Sequence, residues 1–355
     1  MAGLFGGEYS RKELLRRVGN FAQVAGIREY TYNSGRAAGT KAVEVNTGQF
    51  KFELLADKCL DISFASYKGV PFSYISKSGV RNPAYYNKVD DFGFQDNFLA
   101  GALTTCGLHN IGPASECCGR KYQLHGNIAA IPAEKLGVSE TWDGDECTYT
   151  VSGEMRHSTF YCEDLVLRRK ITSRMGAASL VIEDEVENMD FAPTPCFLLY
   201  HAQFGFPFLD ADTKLITSPI EKTVGRTPEA EKDKANFAKF SPPGDGVEEQ
   251  CFFHTFTPNA QGLATACLFN PKLGERGMGV YVRFDPKTLP VFVQWKMLRS
   301  REYVCGLEPG AVPLDNRSDE VVKAATLQPM EKRSYRLEMG VIEGEDECRR
   351  FAGSK

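Results

Sequence analysis

In the stretch Lys41-Ala-Val-Glu-Val-Asn-Thr-Gly-Gln-Phe-Lys-Phe-Glu-Leu-Leu55, apolar residues fall at every second position. Val43 and Val45 alternate with polar neighbours, and beyond the turn signal at Gly48 come Phe50, Phe52 and Leu54. The spacing resumes at Leu60, Ile62 and Phe64, and Lys68-Gly69 closes that run. A period of two marks strands with one buried face, and turn residues between such runs join them antiparallel.

The pattern continues down the chain. Strands are predicted at 148–151, 165–171 and 180–186, with Met175-Gly176 as the hairpin turn between the last two. More are predicted at 264–269, 280–284, 291–295 and 335–342. Many short strands and few helices point to an all-β fold, a large antiparallel β-sandwich. Before residue 41 the pattern differs. Ser10-Arg-Lys-Glu13 fits a capping box, and Leu14, Leu15 and Val18 make an apolar stripe, so a short N-terminal helix is predicted. Residues 1–40 are therefore expected as a helical extension packed on a single domain spanning 41–355. Residues 77–97 read as a long surface loop. Residues 227–240, charged and helix-compatible, read with the loop Ser241-Pro-Pro-Gly-Asp-Gly246 as an insertion between strands.

Composition narrows the function classes. Hydrophobic residues make up 42% and charged residues 25%, and the net charge is −4 with no basic block. That argues against nucleic acid and anionic membrane as partners. The first residues lack the basic start and long apolar core of a signal peptide. Eleven cysteines, an odd number without a CxxC pair, suit reduced thiols, so a cytoplasmic protein is expected. Cys117-Cys118 are adjacent, which suits neither tetrahedral ligation nor easy disulfide formation. No HExxH, HxH, GxGxxG, P-loop or GxSxG is present, so no metal or other cofactor is expected, although three histidines with a glutamate could bind a divalent ion.

Five histidines are available. His157 and His254 sit among mixed neighbours and read as incidental. His109 lies in the Gly-rich Gly101–Gly112, His125 in Leu124-His-Gly126, and His201 at the centre of the apolar run Phe197–Asp210. Glu308 ends the apolar run that begins at Val293. A histidine and a carboxylate on apolar sequence suit chemistry in which one proton enters as another leaves, although each alone is equally at home as a core histidine or a turn carboxylate.

Lys58-Cys-Leu-Asp-Ile62, Thr104–Gly112, Leu124-His-Gly126, Tyr200-His-Ala-Gln-Phe204, Gln294-Trp-Lys296 and Gly306-Leu-Glu-Pro309 occur in one order that resembles the aldose 1-epimerase (galactose mutarotase-like) superfamily. The match runs from about residue 40 onward and is similar to a largely uncharacterised branch. The resemblance implies a large β-sandwich and an isomerase that interconverts sugar anomers. It implies His201 as general acid and Glu308 as general base, facing each other a sugar ring apart. It implies His109, His125, Gln203, Trp295, Lys296 and Asp61 around the sugar, with Lys296 hinting at an anionic one. The partner is then a small-molecule carbohydrate, and a homodimer is compatible with it. Tyr200, Lys58 and Asn127 depart from the pattern, which expects asparagine, arginine and arginine, and so bear on substrate identity. A non-catalytic carbohydrate-binding module is the alternative of another class, and a sugar-acid isomerase or lyase the alternative enzyme.

Overall fold

The strand Phe197–Gly205 is buried along its whole length. Its even-numbered side chains, Leu198, Tyr200, Ala202 and Phe204, belong to the main core, whereas Phe197 and Leu199 belong to a second apolar cluster. Successive side chains on a strand face opposite ways, so this strand is covered on both faces. That explains why its sequence is a continuous apolar run and not an alternation.

The computed structural model describes residues 1–87, 92–117, 119–314 and 317–353. Two large antiparallel sheets dominate, of eleven and eight strands. The larger runs from Ile220–Gly225 through Gln250–Phe256, Val291–Arg299, Glu302–Gly310, Phe197–Gly205 and Leu103–Leu108. It continues through Asp61–Tyr67, Phe50–Leu55 and Lys41–Asn46 to Gly26–Thr31. The smaller contains the four hairpin-linked strands between Glu134 and Asn188, with Lys332–Glu343 and Met278–Phe284 beside them. The core between them draws Phe50, Phe52 and Leu54 from one sheet and Leu165, Leu167 and Ile182 from the other. This is the antiparallel sandwich that the period of two predicts.

A polar network crosses that core. Arg169, fully buried, grips Asp184 with two hydrogen bonds of 2.9 and 2.7 Å. It also donates to Asp61 at 3.1 Å and to the carbonyl of Cys59. Tyr200 donates to Asp184 at 2.7 Å. Asp61 and Tyr200 belong to one sheet, Arg169 and Asp184 to the other, so the network ties the two layers.

The N-terminal region holds the expected helix, shortened to Arg11–Leu15. Its capping box is formed: Ser10 Oγ accepts from the Glu13 amide and Glu13 returns the bond to the Ser10 amide. The sheet begins earlier than the sequence period suggests, because Gly26–Thr31 adds an edge strand beside Lys41–Asn46. Its side chains are mostly exposed, and an edge strand without a buried face shows no alternation. The segment 77–97 also differs from a plain surface loop. Among its described residues, Gly93–Asn97 forms a short helix with Phe94 and Asn97 buried.

Candidate active site

His201 and Glu308 stand on neighbouring strands. The register that pairs Ala202 with Leu307 and Gln203 with Gly306 sets them side by side. The row extends to Val293, opposite Glu308, and to Thr104, opposite His201. Tyr200 points into the core, so His201 points out of it, and the row forms the floor of a cleft on the outer face of the larger sheet. The cleft encloses about 690 Å3, and its walls include Phe94, Phe98, Leu124, His125, Arg226 and Trp295.

The spacing corrects one expectation. His201 Nδ1 lies 3.2 Å from Glu308 Oε1, so the two groups touch and no sugar ring fits between them. A ring must instead lie over the pair. Adjacent ladder positions bring side chains this close on one face. Room for the carboxylate comes from Gly306, where a Cβ would stand 2.2 Å from Glu308 Oε1.

Burial sets the charge of the pair. It pushes the Glu308 carboxyl well above its ordinary range, reinforced by the charge of Glu249 and opposed by Arg226. Burial, helped by His125, holds His201 well below the ordinary imidazole value. Both shifts favour the neutral forms, a carboxylic acid beside an uncharged imidazole, over the carboxylate and imidazolium expected from the roles. Gln203 Nε2 lies 2.6 Å from His201 Nδ1. With the amide donating there, the imidazole proton sits on Nε2.

His125 is held by a reciprocal pair of bonds. Its amide donates to the Gly112 carbonyl, and its Nδ1 accepts from the Gly112 amide at 3.2 Å. Its φ of 57° is left-handed, a conformation that costs a non-glycine residue about 1–2 kcal/mol and recurs where a side chain must be aimed. Burial lowers its pKa to about 3, so Nε2–H remains a neutral donor. Its ring packs edge-on against His201, with centroids 5.4 Å apart. Trp295 flanks His201 at 5.3 Å and donates from Nε1 to Glu249 at 2.9 Å.

The cleft thus gathers His125, His201, Trp295 and Glu308. Four other expected residues lie elsewhere. Lys296 is next to Trp295 on the same strand, so it faces away; its ammonium donates to the carbonyls of Asn236 and Lys239. Gln203 is buried behind His201 and orients it. Asp61 is engaged by Thr105 and Arg169 in the polar network. His109 sits with His157 and Glu163, its Nδ1 2.8 Å from His157 Nε2. Donor atoms of those three lie within 4.8 Å of one another, close enough to ligate an ion. Both Glu163 oxygens, however, are held by Arg120, and Arg317 donates to the His109 carbonyl. Two guanidinium groups make this a poor place for a cation, and Glu163 is ion-paired with Arg120.

His157 and His254 are not incidental surface groups. His157 is buried in phase with Tyr149, Val151 and Met155 on its strand. His254 bridges Thr223 and Gln294 at 3.0 Å each. Sequence reasoning also missed Arg226 and Glu249, which bound the charged insertion and carry no periodicity to show which charges turn inward. Phe94 was hidden in the segment read as a loop, and Phe98 lies just beyond its end. Of the cysteine pair, Cys118 lies outside the described residues.

No curated protein matches the chain. Among solved structures, a Klebsiella pneumoniae protein provisionally named an aldose 1-epimerase superposes with a TM-score of 0.86 at 21% identity, over 94% of this chain and 90% of that one. A galactose mutarotase-like protein from Clostridium acetobutylicum gives 0.61 at 16% identity, covering 90% and 99%. A galactose 1-epimerase from Lactobacillus acidophilus gives 0.59 at 11% identity, covering 90% and 100%. At these identities the likeness establishes the mutarotase-like sandwich fold. A family model matches residues 37–341, most of the chain, and the chain therefore belongs to the family described as Domain of unknown function (DUF4432).

Proposed function

We propose that the protein is an aldose 1-epimerase-like isomerase that interconverts the α and β anomers of a small carbohydrate. The observation that carries this reading is the contact of His201 with Glu308 on the floor of an aromatic-walled cleft. O1 and the ring oxygen of an aldose are both bonded to C1. A donor and an acceptor that serve them together belong side by side, as these two groups are.

The pair needs one proton between its members. In the resting form that proton is on Glu308. Transfer across 3.2 Å to Nδ1 leaves Glu308 a carboxylate and His201 an imidazolium with Nε2–H toward the cleft. Glu308 then takes the O1 proton while His201 protonates the ring oxygen, and the ring opens. Rotation about C1–C2 and reclosure by the reverse transfers give the other anomer. Gln203 fits both states: its amide nitrogen donates to the neutral ring, and after rotation its oxygen, now without a partner, accepts from Nδ1–H. His125 and Arg226 line the cleft and would donate to sugar hydroxyls, and Trp295 and Phe98 would offer apolar faces.

An NMR screen for exchange between anomer signals, run over aldoses, uronic acids and sugar phosphates, tests the reading. Exchange with at least one sugar that stops in Glu308→Gln supports it. Binding without exchange in the wild-type protein would favour the carbohydrate-binding module.

A further inference from the structure

Next to the cleft lies a small enclosed chamber. Phe94 and Phe98 line both spaces. Its polar lining includes Lys58, Asn97, Thr104 and Asn127. Thr104 stands opposite His201 in the ladder, so the chamber begins one strand away, about 5 Å. That is within reach of the far end of a sugar whose C1 rests over His201 and Glu308.

The chamber holds polar atoms that the protein leaves unused. Lys58 is only 5% exposed, and its ammonium has no hydrogen-bond partner among the described residues. Asp61, a carboxylate on the same chamber wall, is already committed to Thr105 and Arg169. Burial brings the Lys58 amine down to about 8. Asn97, 6% exposed, gives its amide nitrogen to the Gly93 carbonyl at 2.9 Å, which fixes its Oδ1 as the free end. That oxygen and Asn127 Oδ1 are buried without a partner. Orphaned buried groups are costly, and two of them beside an unpaired ammonium in one chamber point to a ligand.

We propose that this chamber is the subsite for a hydroxyl group at the end of the sugar remote from C1, with Lys58 donating to the hydroxyl oxygen and the hydroxyl's single proton shared between the Asn97 and Asn127 oxygens. The assignment rests on the sugar reading above. Its chemistry excludes the simpler choices. A carboxylate or phosphate would suit Lys58 but would face two amide oxygens and the Asp61 carboxylate. An ammonium would suit the amides but would face Lys58. A hydroxyl both accepts and donates.

The test is calorimetry on matched sugars: galactose, glucose and mannose, each with its 6-deoxy counterpart, together with galacturonate and glucuronate. In the wild-type protein a parent sugar should bind roughly 10–100-fold more tightly than its deoxy or uronate partner, the value of a hydrogen bond to a charged donor. Lys58→Met keeps the length of the side chain and should lower the parent to the level of its deoxy partner. It should also raise the unfolding midpoint, because an unpartnered buried amine is replaced by an apolar group. Should Lys58→Met not fold, Asn127→Leu reads the same difference. Deoxy or uronate partners that bind as well as the parents, or a preference that survives Lys58→Met, would overturn the subsite alone. Absence of binding by every sugar to the wild-type protein would overturn the sugar reading itself, and the subsite with it.

Discussion

At the scale of single residues, Gly306 is the position that makes the pair possible. A methyl group there would stand 2.2 Å from the Glu308 carboxyl, and the flexible end of the glutamate would move before the backbone did. Gly306→Ala should therefore fold with little loss of stability yet lose anomer exchange by about 10²-fold or more, the lower bound for removing a general base; circular dichroism and exchange NMR on one preparation check both halves. Glu308→Gln and His201→Asn should each lose on the order of 10²–10⁴-fold in exchange while keeping affinity, and the double variant should lose less than the product. The raised pKa of Glu308 also links stability to pH. Its native state holds a proton more tightly than the unfolded chain, so its contribution is full below the unfolded value of about 4.3 and is lost as pH rises toward the native one. The stability of Glu308→Gln relative to wild type should accordingly grow with pH above about 4.3, as denaturant titrations across that range would show. A flat difference would mean that Glu308 is ionised in the native protein.

Among the elements, the strands carry most of what the sequence made legible. Strands with polar residues on the face away from the main core, such as Lys41–Asn46 and Phe50–Leu55, show their alternation directly. Phe197–Gly205 shows none, because both faces are covered, and its lone histidine lies on the floor of the cleft. Gly26–Thr31 was missed because it has no buried face to advertise. The misplacement of Lys296 was avoidable: it neighbours Trp295, and adjacent strand residues face opposite ways. His157 was avoidable too, since it keeps step with Tyr149, Val151 and Met155. Arg226, Glu249 and the Phe94 helix had no such signal, because irregular segments fold against a surface that only the tertiary structure creates. The strand pair that meets at Arg169 and Asp184 gives a prediction at this scale. Arg169→Leu strips a buried guanidinium from Asp184 and Asp61 together, and breaking such a pair costs about 3–5 kcal/mol. Urea unfolding should register that loss, and Arg169→Leu combined with Asp184→Asn should recover part of it.

For the whole molecule, the sandwich was legible because it is a sum of local periodicities, whereas the cleft required knowing which strands become neighbours. His201 and Glu308 are 107 residues apart in sequence, and only the ladder brings them together. That placement has a consequence for how the molecule breathes. The strands of the floor lie in the middle of an eleven-stranded sheet, where amides are released only when the entire protein unfolds, while short helices and irregular loops open locally and often. Deuterium should therefore enter the amides of Gly93–Asn97, 112–117 and 119–126 within a short labelling time and reach those of 199–204 and 304–308 last. Sugars would come and go through a fluctuating roof, while the proton-transfer distance beneath it stays constant through every opening.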